Sequence, residues 1–421
     1  MKANEVFTPG SLPTYTYYER PKLDLEQQLL SAVETKGIIA SVSGPSKSGK
    51  TVPCTNVIGS KPMVLITGGG VASETACWNK VRTRLGLPAT LTSTTTANRF
   101  REFDAAQTPA DFPVVERASV EGARDSSWES ERHPSAGTTS YAGPNGVELL
   151  EYLRDRNKML VIDDFHYIPR EVQRPLVEQF KEAARSGCTI VVVSVPHRSD
   201  DCIRANPDLR GRLICIDVPY WESDELGTIP KTGLPLLDLH AEERLVDRLV
   251  SESVSSPQLM QALCLQLCRD IGVDDTVKQR REIELSVEQI KTLFRNTTAF
   301  ANCKTAFDII LAGPKPRGSG RSLYHLADGS TGDIYHVILR ALTFEEPLLT
   351  LSYAEMKKRI ETLVPTYPPP GIAITSSIQQ MHKSVVEKLG EDRVLEWDEE
   401  KQALNLPDPY FLYYLRWKRW D

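Results

Sequence analysis

The chain has 421 residues, of which 40% are apolar and 25% charged, with a formal net charge of −6. At about 100–200 residues per domain this is enough apolar material for several cores, which excludes wholesale disorder. The acidic balance argues against a surface that coats nucleic acid throughout, while leaving room for a local basic patch.

In chain order, residues 1–37 form a polar lead with a helical run at 23–33. The run GIIASVS at 37–43 reads as a buried strand, and strand-like runs follow at 63–67, 159–162, 189–194 and 213–218. These runs are short, rich in Val and Ile, and separated by helical patterns, which predicts a parallel sheet covered on both faces. Residues 104–146 break the pattern with Ser, Thr, Pro, Gly and charge at little periodicity, and are expected to be a flexible insertion. From 236 to about 312 the pattern is helical throughout, with Leu259, Met260, Ala262, Leu263, Leu265 and Leu267 marking a largely buried helix. A Gly/Pro/Arg-rich linker spans 313–330. Helical runs near 332–342, 353–363 and 374–389 then precede a hairpin, 393–397 and 402–406 around the polar turn 398–401, and an aromatic helix at 410–420. Three helices followed by a β-hairpin are the outline of a winged helix.

No run of 18 apolar residues is present to span a membrane, and the polar start MKANE predicts no signal peptide. The eight cysteines are scattered without a CxxC pair. Cys264 and Cys268 stand four apart on an apolar helix, where buried thiols are expected rather than metal ligands. Reduced cysteines predict a cytoplasmic protein.

The segment GPSKSGKT at 44–51 matches GxxxxGK[ST] and follows the first apolar strand directly. Glycines at Gly44 and Gly49 let the backbone wrap a phosphate, with Lys47 and Ser48 on the turn between them. A helix N-terminus behind the loop adds positive potential. Lys50 is placed to reach the β- and γ-phosphates of ATP, and the Thr51 hydroxyl to hold Mg²⁺. Pro53 falls in the first turn of that helix, where a missing N–H is tolerated. The run MLVIDD at 159–164 is an apolar strand ending in two carboxylates. In this pattern Asp163 holds Mg²⁺ through water and Asp164 orients and polarises the attacking water. The run at 63–67 lies in sequence between the phosphate loop and this acidic strand, as an additional strand.

Together these parts resemble a bacterial STAND-type or origin-recognition-like AAA+ P-loop ATPase over residues 15–270, about two thirds of the chain. The resemblance rests on GPSKSGKT, on LVIDD, on VVVSVPHR at 191–198, on the SSPQLM segment at 255–260, and on YYER at 17–20. It implies that Tyr18 and Arg20 belong to a box packed around adenine. By the same resemblance Ser194, at the tip of the fourth strand, is the sensor of the γ-phosphate, with His197 and Arg198 as weaker neighbours. Arg210 or Arg212, before the fifth strand, occupies the place of an arginine finger, which reaches a neighbouring subunit's nucleotide. Pro257 opens the helical lid; the residue two before it is Ser255 rather than the family's glycine, and Gln258 stands where a sensor arginine is common. That departure favours a switch over a fast motor.

The expected architecture is α/β: an additional-strand P-loop domain at 1–225 with its insertion at 104–146, a helical lid at 226–312, a linker at 313–330 and a winged-helix domain at 331–421. The function the resemblance implies is an ATP-binding, slowly hydrolysing switch that forms a homo-oligomer and controls a separately encoded effector in a bacterial antiphage or conflict system. The alternative is a DNA-associated AAA+ ATPase acting as a loader or target selector, such as a transposition regulator. Charge leans against nucleic acid. Residues 351–421 hold ten Lys/Arg against eleven Asp/Glu, and the hairpin turn Asp398, Glu399, Glu400 repels phosphate. Only the end of the last helix, from Leu415 to Trp420, is both basic and aromatic, and it is expected to pack against the hairpin.

Overall fold

The computed structural model describes residues 1–58, 63–87, 91–94, 138–141, 146–195, 203–204, 206–314, 320–390 and 393–420. Most of the expected insertion, part of the expected linker, and His197 and Arg198 lie outside the described residues. The chain gathers into two compact units, Leu25–Ser43 with Pro53–Asp217, and Met1–Asp24 with Gly44–Val52 and Val218–Asp421. The four segments expected from the sequence do not coincide with these two.

The first unit is a five-stranded parallel sheet with its helices. Its elements in chain order are α1 (Leu25–Glu34), β1 (Ile39–Ser43), α2 (Thr51–Ile58, whose first two residues group with the other unit), β2 (Met63–Thr67), α3 (Glu74–Leu85), α4 (Gly146–Asp155), β3 (Met159–Asp163), α5 (Arg170–Arg185), β4 (Ile190–Ser194) and β5 (Leu213–Asp217). β1 and β4 are buried at every residue, which is why they read as unbroken apolar runs rather than alternating ones. The strand order is β2-β3-β4-β1-β5, with every pairing parallel. This corrects one detail of the sequence reading. The 63–67 run is between the phosphate loop and the acidic strand only in sequence; in the sheet it is the edge, and β4 is the strand that separates β1 from β3. Val172, Leu176, Phe180 and Ala184 fall four apart on α5 and lie on its buried face. They join Phe165, Leu149 and Leu160 in a core whose members are almost wholly removed from solvent.

Register brings the carboxyl ends of the strands level. Ser43 pairs with Ser194 on one side and with Asp217 on the other, and Thr67 pairs with Asp163. At the amino end, Leu213 is level with Ile39, whose N–H donates to the Arg212 carbonyl at 2.8 Å.

The second unit is mostly helical: α6 (Ser223–Leu236), α7 (Glu243–Glu252), α8 (Pro257–Asp270), α9 (Val287–Thr297), α10 (Lys304–Ala312), α11 (Ile334–Leu342), α12 (Tyr353–Leu363), α13 (Gly371–Leu389) and α14 (Pro409–Trp417). A three-stranded antiparallel sheet of β6 (Thr350–Ser352), β7 (Glu396–Asp398) and β8 (Ala403–Asn405) runs in the order β6-β8-β7. The segment expected to be helical throughout from 236 to 312 is not: Leu239–Ala241 and Arg281–Ile283 pair as parallel strands. The Arg281 N–H reaches the Asp238 carbonyl at 2.9 Å, so the backbone there spends its hydrogen bonds across the chain instead of along a helix.

One apolar core runs from Phe7 through α8 to Tyr413. Cys264 and Cys268 are part of it, and burial pushes the Cys268 thiol up to about 12, so both are core thiols. Glu252, fully buried, accepts from Arg416 Nη2 at 3.0 Å, Arg416 Nε at 3.1 Å and Trp417 Nε1 at 2.6 Å. Lys418 Nζ stands 3.4 Å over the Phe307 ring. Arg416 and Lys418 are thus taken up by packing, but on α7 and α10 rather than on the hairpin expected from the sequence, and the Arg416 pairing satisfies an otherwise costly buried carboxylate.

Candidate functional site

The phosphate loop leaves the carboxyl end of β1 at Gly44 and enters α2 at Thr51. A Cβ at Gly44 would collide with the Val218 carbonyl, so the first loop position takes only glycine without a backbone shift. Lys47 and Gly49 both sit in the left-handed region, at φ +60° and +85°. Such turns point successive amides to one side and make an anion-binding hollow. Lys50 is only 7% exposed, and its ammonium donates to the Pro45 carbonyl at 2.5 Å, which holds the charge inside the loop. Among the described residues, the buried Ser48 hydroxyl has no hydrogen-bond partner. A buried polar atom left in this way costs free energy until a polar ligand supplies a partner. These residues fit a bound polyphosphate.

The segment after the sheet braces this loop. The Trp221 indole N–H donates to the Ser48 carbonyl at 2.8 Å. The Trp221 ring lies 6.3 Å from Tyr18, tilted by 52°, and the Arg20 guanidinium stands 5.0 Å from its centre. Arg20 is buried, and its Nε and both terminal nitrogens are engaged by Glu225 and by the carbonyls of Pro219 and Tyr220. It therefore stiffens the Trp221 platform. Trp221 was missed by sequence reasoning; the signal available was an aromatic pair, Tyr220 and Trp221, directly after the fifth strand.

Pro257 is the first residue of α8, capped by Ser256, whose Oγ accepts the Leu259 N–H at 3.2 Å. The Pro257 ring would lie 3.8 Å from a Cβ on Gly49, so the start of this helix abuts the loop. Gln258 is turned to the N-terminal lead, donating to the Pro9 carbonyl at 2.7 Å.

In the sheet unit, Asp163 ends β3 and its Oδ1 accepts the Asp164 N–H at 2.9 Å. Asp164 has φ +55° and ψ +38°, a conformation that costs a non-glycine residue roughly 1–2 kcal/mol and is retained where surroundings over-determine it. The surroundings are visible. The Gly68 N–H donates to the Asp163 carbonyl at 2.8 Å, and a Cβ on Gly68 would strike the Asp164 carbonyl. Behind them, the wholly buried Phe165 anchors the turn. Ser194 is buried at the end of β4, level with Ser43. Arg210 is exposed and Arg212 half-buried, both before β5, at the opposite edge of the sheet from Asp163. The sheet thus brings Asp163, Asp164 and Ser194 to one edge, and keeps the two arginines away from it by a strand of about 15 Å at roughly 3.3 Å per residue.

No family model matches the chain, and no curated protein sequence matches it. Among solved structures the chain is similar to the Walker-type ATPase PABY2304 of Pyrococcus abyssi, with a TM-score of 0.50 and 12% identity over 93% of this chain and 95% of that one. The ORC2 protein of Aeropyrum pernix, in its ADPNP–ADP complexes, aligns at TM-score 0.46 and 14% identity over 98% and 95% of the two chains. Cdc6p of Pyrobaculum aerophilum aligns at 0.42 and 12% over 98% and 97%. The first likeness is one of fold. The sheet, its strand order and this likeness together give the chain the α/β fold of a P-loop ATPase.

Proposed function

We propose that the chain binds ATP with Mg²⁺ and hydrolyses it slowly, as an oligomerising switch that acts on a separate protein. The observation that carries the nucleotide reading is the phosphate loop itself: a left-handed turn at Lys47 and Gly49, a buried Lys50, and an unpartnered Ser48 hydroxyl. Lys50 binds the β- and γ-phosphates, and Thr51 and Asp163 hold the cation, which neutralises phosphate charge when bound. Asp164 orients the attacking water, Ser194 reads the γ-phosphate, and Tyr18 with Trp221 packs on the base, its platform stiffened by Arg20. Arg210 or Arg212 completes a neighbour's site. Residues 226–312 serve as the lid, with Pro257 against the loop, and residues 331–421 as a winged helix.

The switch reading is preferred to a DNA-associated loader or target selector because Arg416 and Lys418, two of the three basic residues at the end of the chain, are engaged by Glu252, Phe307 and Trp420. The turn beside β7 is acidic, with Asp398, Glu399 and Glu400. An effector in a conflict system is the partner this reading implies. The test is a titration of labelled ATP against Lys50→Ala, which is expected to abolish measurable binding; wild-type affinity in that variant sinks the reading. Size-exclusion chromatography with ATP, and again with duplex DNA, separates the two partner classes. A shift with ATP alone favours the switch, and a shift only with DNA favours the loader.

A further inference from the structure

Lys47 is not needed to explain the loop, yet it carries the loop's second ammonium. Its side chain leaves the left-handed turn toward the first turn of α14. There Nζ lies 4.5 Å from the centre of the Tyr410 ring and 3.8 Å from Asp408 Oδ1. Asp408 is the N-cap of α14 and accepts the Tyr410 N–H at 3.0 Å. Tyr410 is 4% exposed, and burial raises its phenol well above the ordinary tyrosine range, so it meets Lys47 as a neutral ring. The Lys47 side chain is 34% exposed and that of Asp408 18%, so the contact is partly removed from water. On the backbone side, the Ser256 hydroxyl lies 3.5 Å from the Lys47 carbonyl. Lys47 is therefore held by three groups from the region after residue 250, none of them in the loop.

One ammonium cannot neutralise two anions fully. A phosphate in the loop and the Asp408 carboxylate compete for the same charge, and the face of Tyr410 adds to the pull away from the loop. We propose that Asp408 and Tyr410 are positioning residues that lower the affinity of the loop for nucleoside di- and triphosphates by holding Lys47 on α14. This rests on the phosphate-loop reading above. The coupling is reciprocal: a nucleotide that recruits Lys47 loosens the hold of the loop on the first turn of α14.

The experiment is a titration of the full chain with fluorescent ATP and ADP. Asp408→Asn removes the charge and keeps the helix cap, because Asn caps as well as Asp. Tyr410→Leu removes the ring face, and Tyr410→Phe keeps it. Asp408→Asn and Tyr410→Leu are expected to bind nucleotide about three- to tenfold more tightly, the size of one partly exposed ion pair or cation–π contact. Tyr410→Phe is expected to match the wild type. The gain must vanish in a Lys47→Ala background, which a merely structural role for α14 would not require. Unchanged or weaker binding in Asp408→Asn, or a gain that persists without Lys47, overturns the inference. Lys50→Ala separates the two levels. If it binds ATP normally, the loop reading itself fails; if it loses ATP while Asp408→Asn is flat, only the Lys47 inference fails.

Discussion

At its carboxyl edge the five-stranded sheet presents Thr67, Asp163, Ser194 and Ser43, and at its amino edge Arg210 and Arg212. The first edge is held tightly. Gly68 presses on Asp164, Asp163 caps its neighbour's N–H, and Ser194 is buried. The second edge is more open to solvent, with Arg210 exposed after a single 3₁₀ turn, Pro207–Leu209, although its backbone is tied by the Ile39 N–H to Arg212 carbonyl bond. A group that must orient water within its own subunit needs a rigid frame. A group that serves a neighbour gains its order only on assembly. On the function proposed above, that contrast is what a site shared between subunits calls for.

Breaking the open edge is expected to have the largest effect. Replacing both Arg210 and Arg212 by Ala should lower ATP hydrolysis by about 10³-fold or more, the range of a lost arginine finger. Mixed with Lys50→Ala, the double variant should recover part of its activity, because one of the two shared sites then holds every group. A mixture that co-assembles but stays inactive removes the trans role, and normal turnover by the double variant alone makes the site complete within one subunit. At the rigid edge, Asp164→Asn should retain ATP and slow its hydrolysis about 10²–10⁴-fold, measured by phosphate release at saturating ATP. Wild-type turnover would move the water-orienting role elsewhere.

A smaller effect is expected from Gly68→Ala, which pushes on the Asp164 backbone without touching its carboxylate. Turnover should fall by up to about 10²-fold with ATP affinity retained. A matched fall in affinity would mean that the loop, not the acid, had moved. The smallest effect sharpens the comparison of the arginines. Arg204 is bound within its own unit, to Asp217 at 2.7 Å and to Ser41 Oγ at 3.3 Å. Arg204→Ala should cost about 0–1 kcal/mol in denaturant unfolding, since Asp217 is largely exposed. It should show no complementation with Lys50→Ala; rescue in that mixture would make Arg204 the finger instead.

Much of the sheet was legible because its three central strands are buried on both faces. Continuous apolar runs at 39–43 and 190–194 have few other readings, and both strands begin within two residues of the expected positions. The 236–312 region was misread at Leu239–Ala241 and Arg281–Ile283, where three-residue strands are too short to show a period of two. Trp221 was missed because nothing near it in sequence marks its partner: Ser48 lies 173 residues away.

What the sequence determined by itself is the chemistry that depends on neighbours along the chain. The spacing of Gly44, Gly49, Lys50 and Thr51, and the acid pair after an apolar strand, are local patterns whose geometry follows from one strand, one turn and one helix. What only the tertiary structure decided is which distant groups meet them. It placed β4 rather than β2 between the phosphate-loop strand and the acidic strand. It turned Arg20 onto Glu225 and set Arg210 and Arg212 at the edge away from Asp163. It also brought Asp408 and Tyr410 to Lys47. Each of these is a choice between partners separated by tens to hundreds of residues. Packing and buried hydrogen bonding select among such partners, and neither leaves a period in the sequence to read.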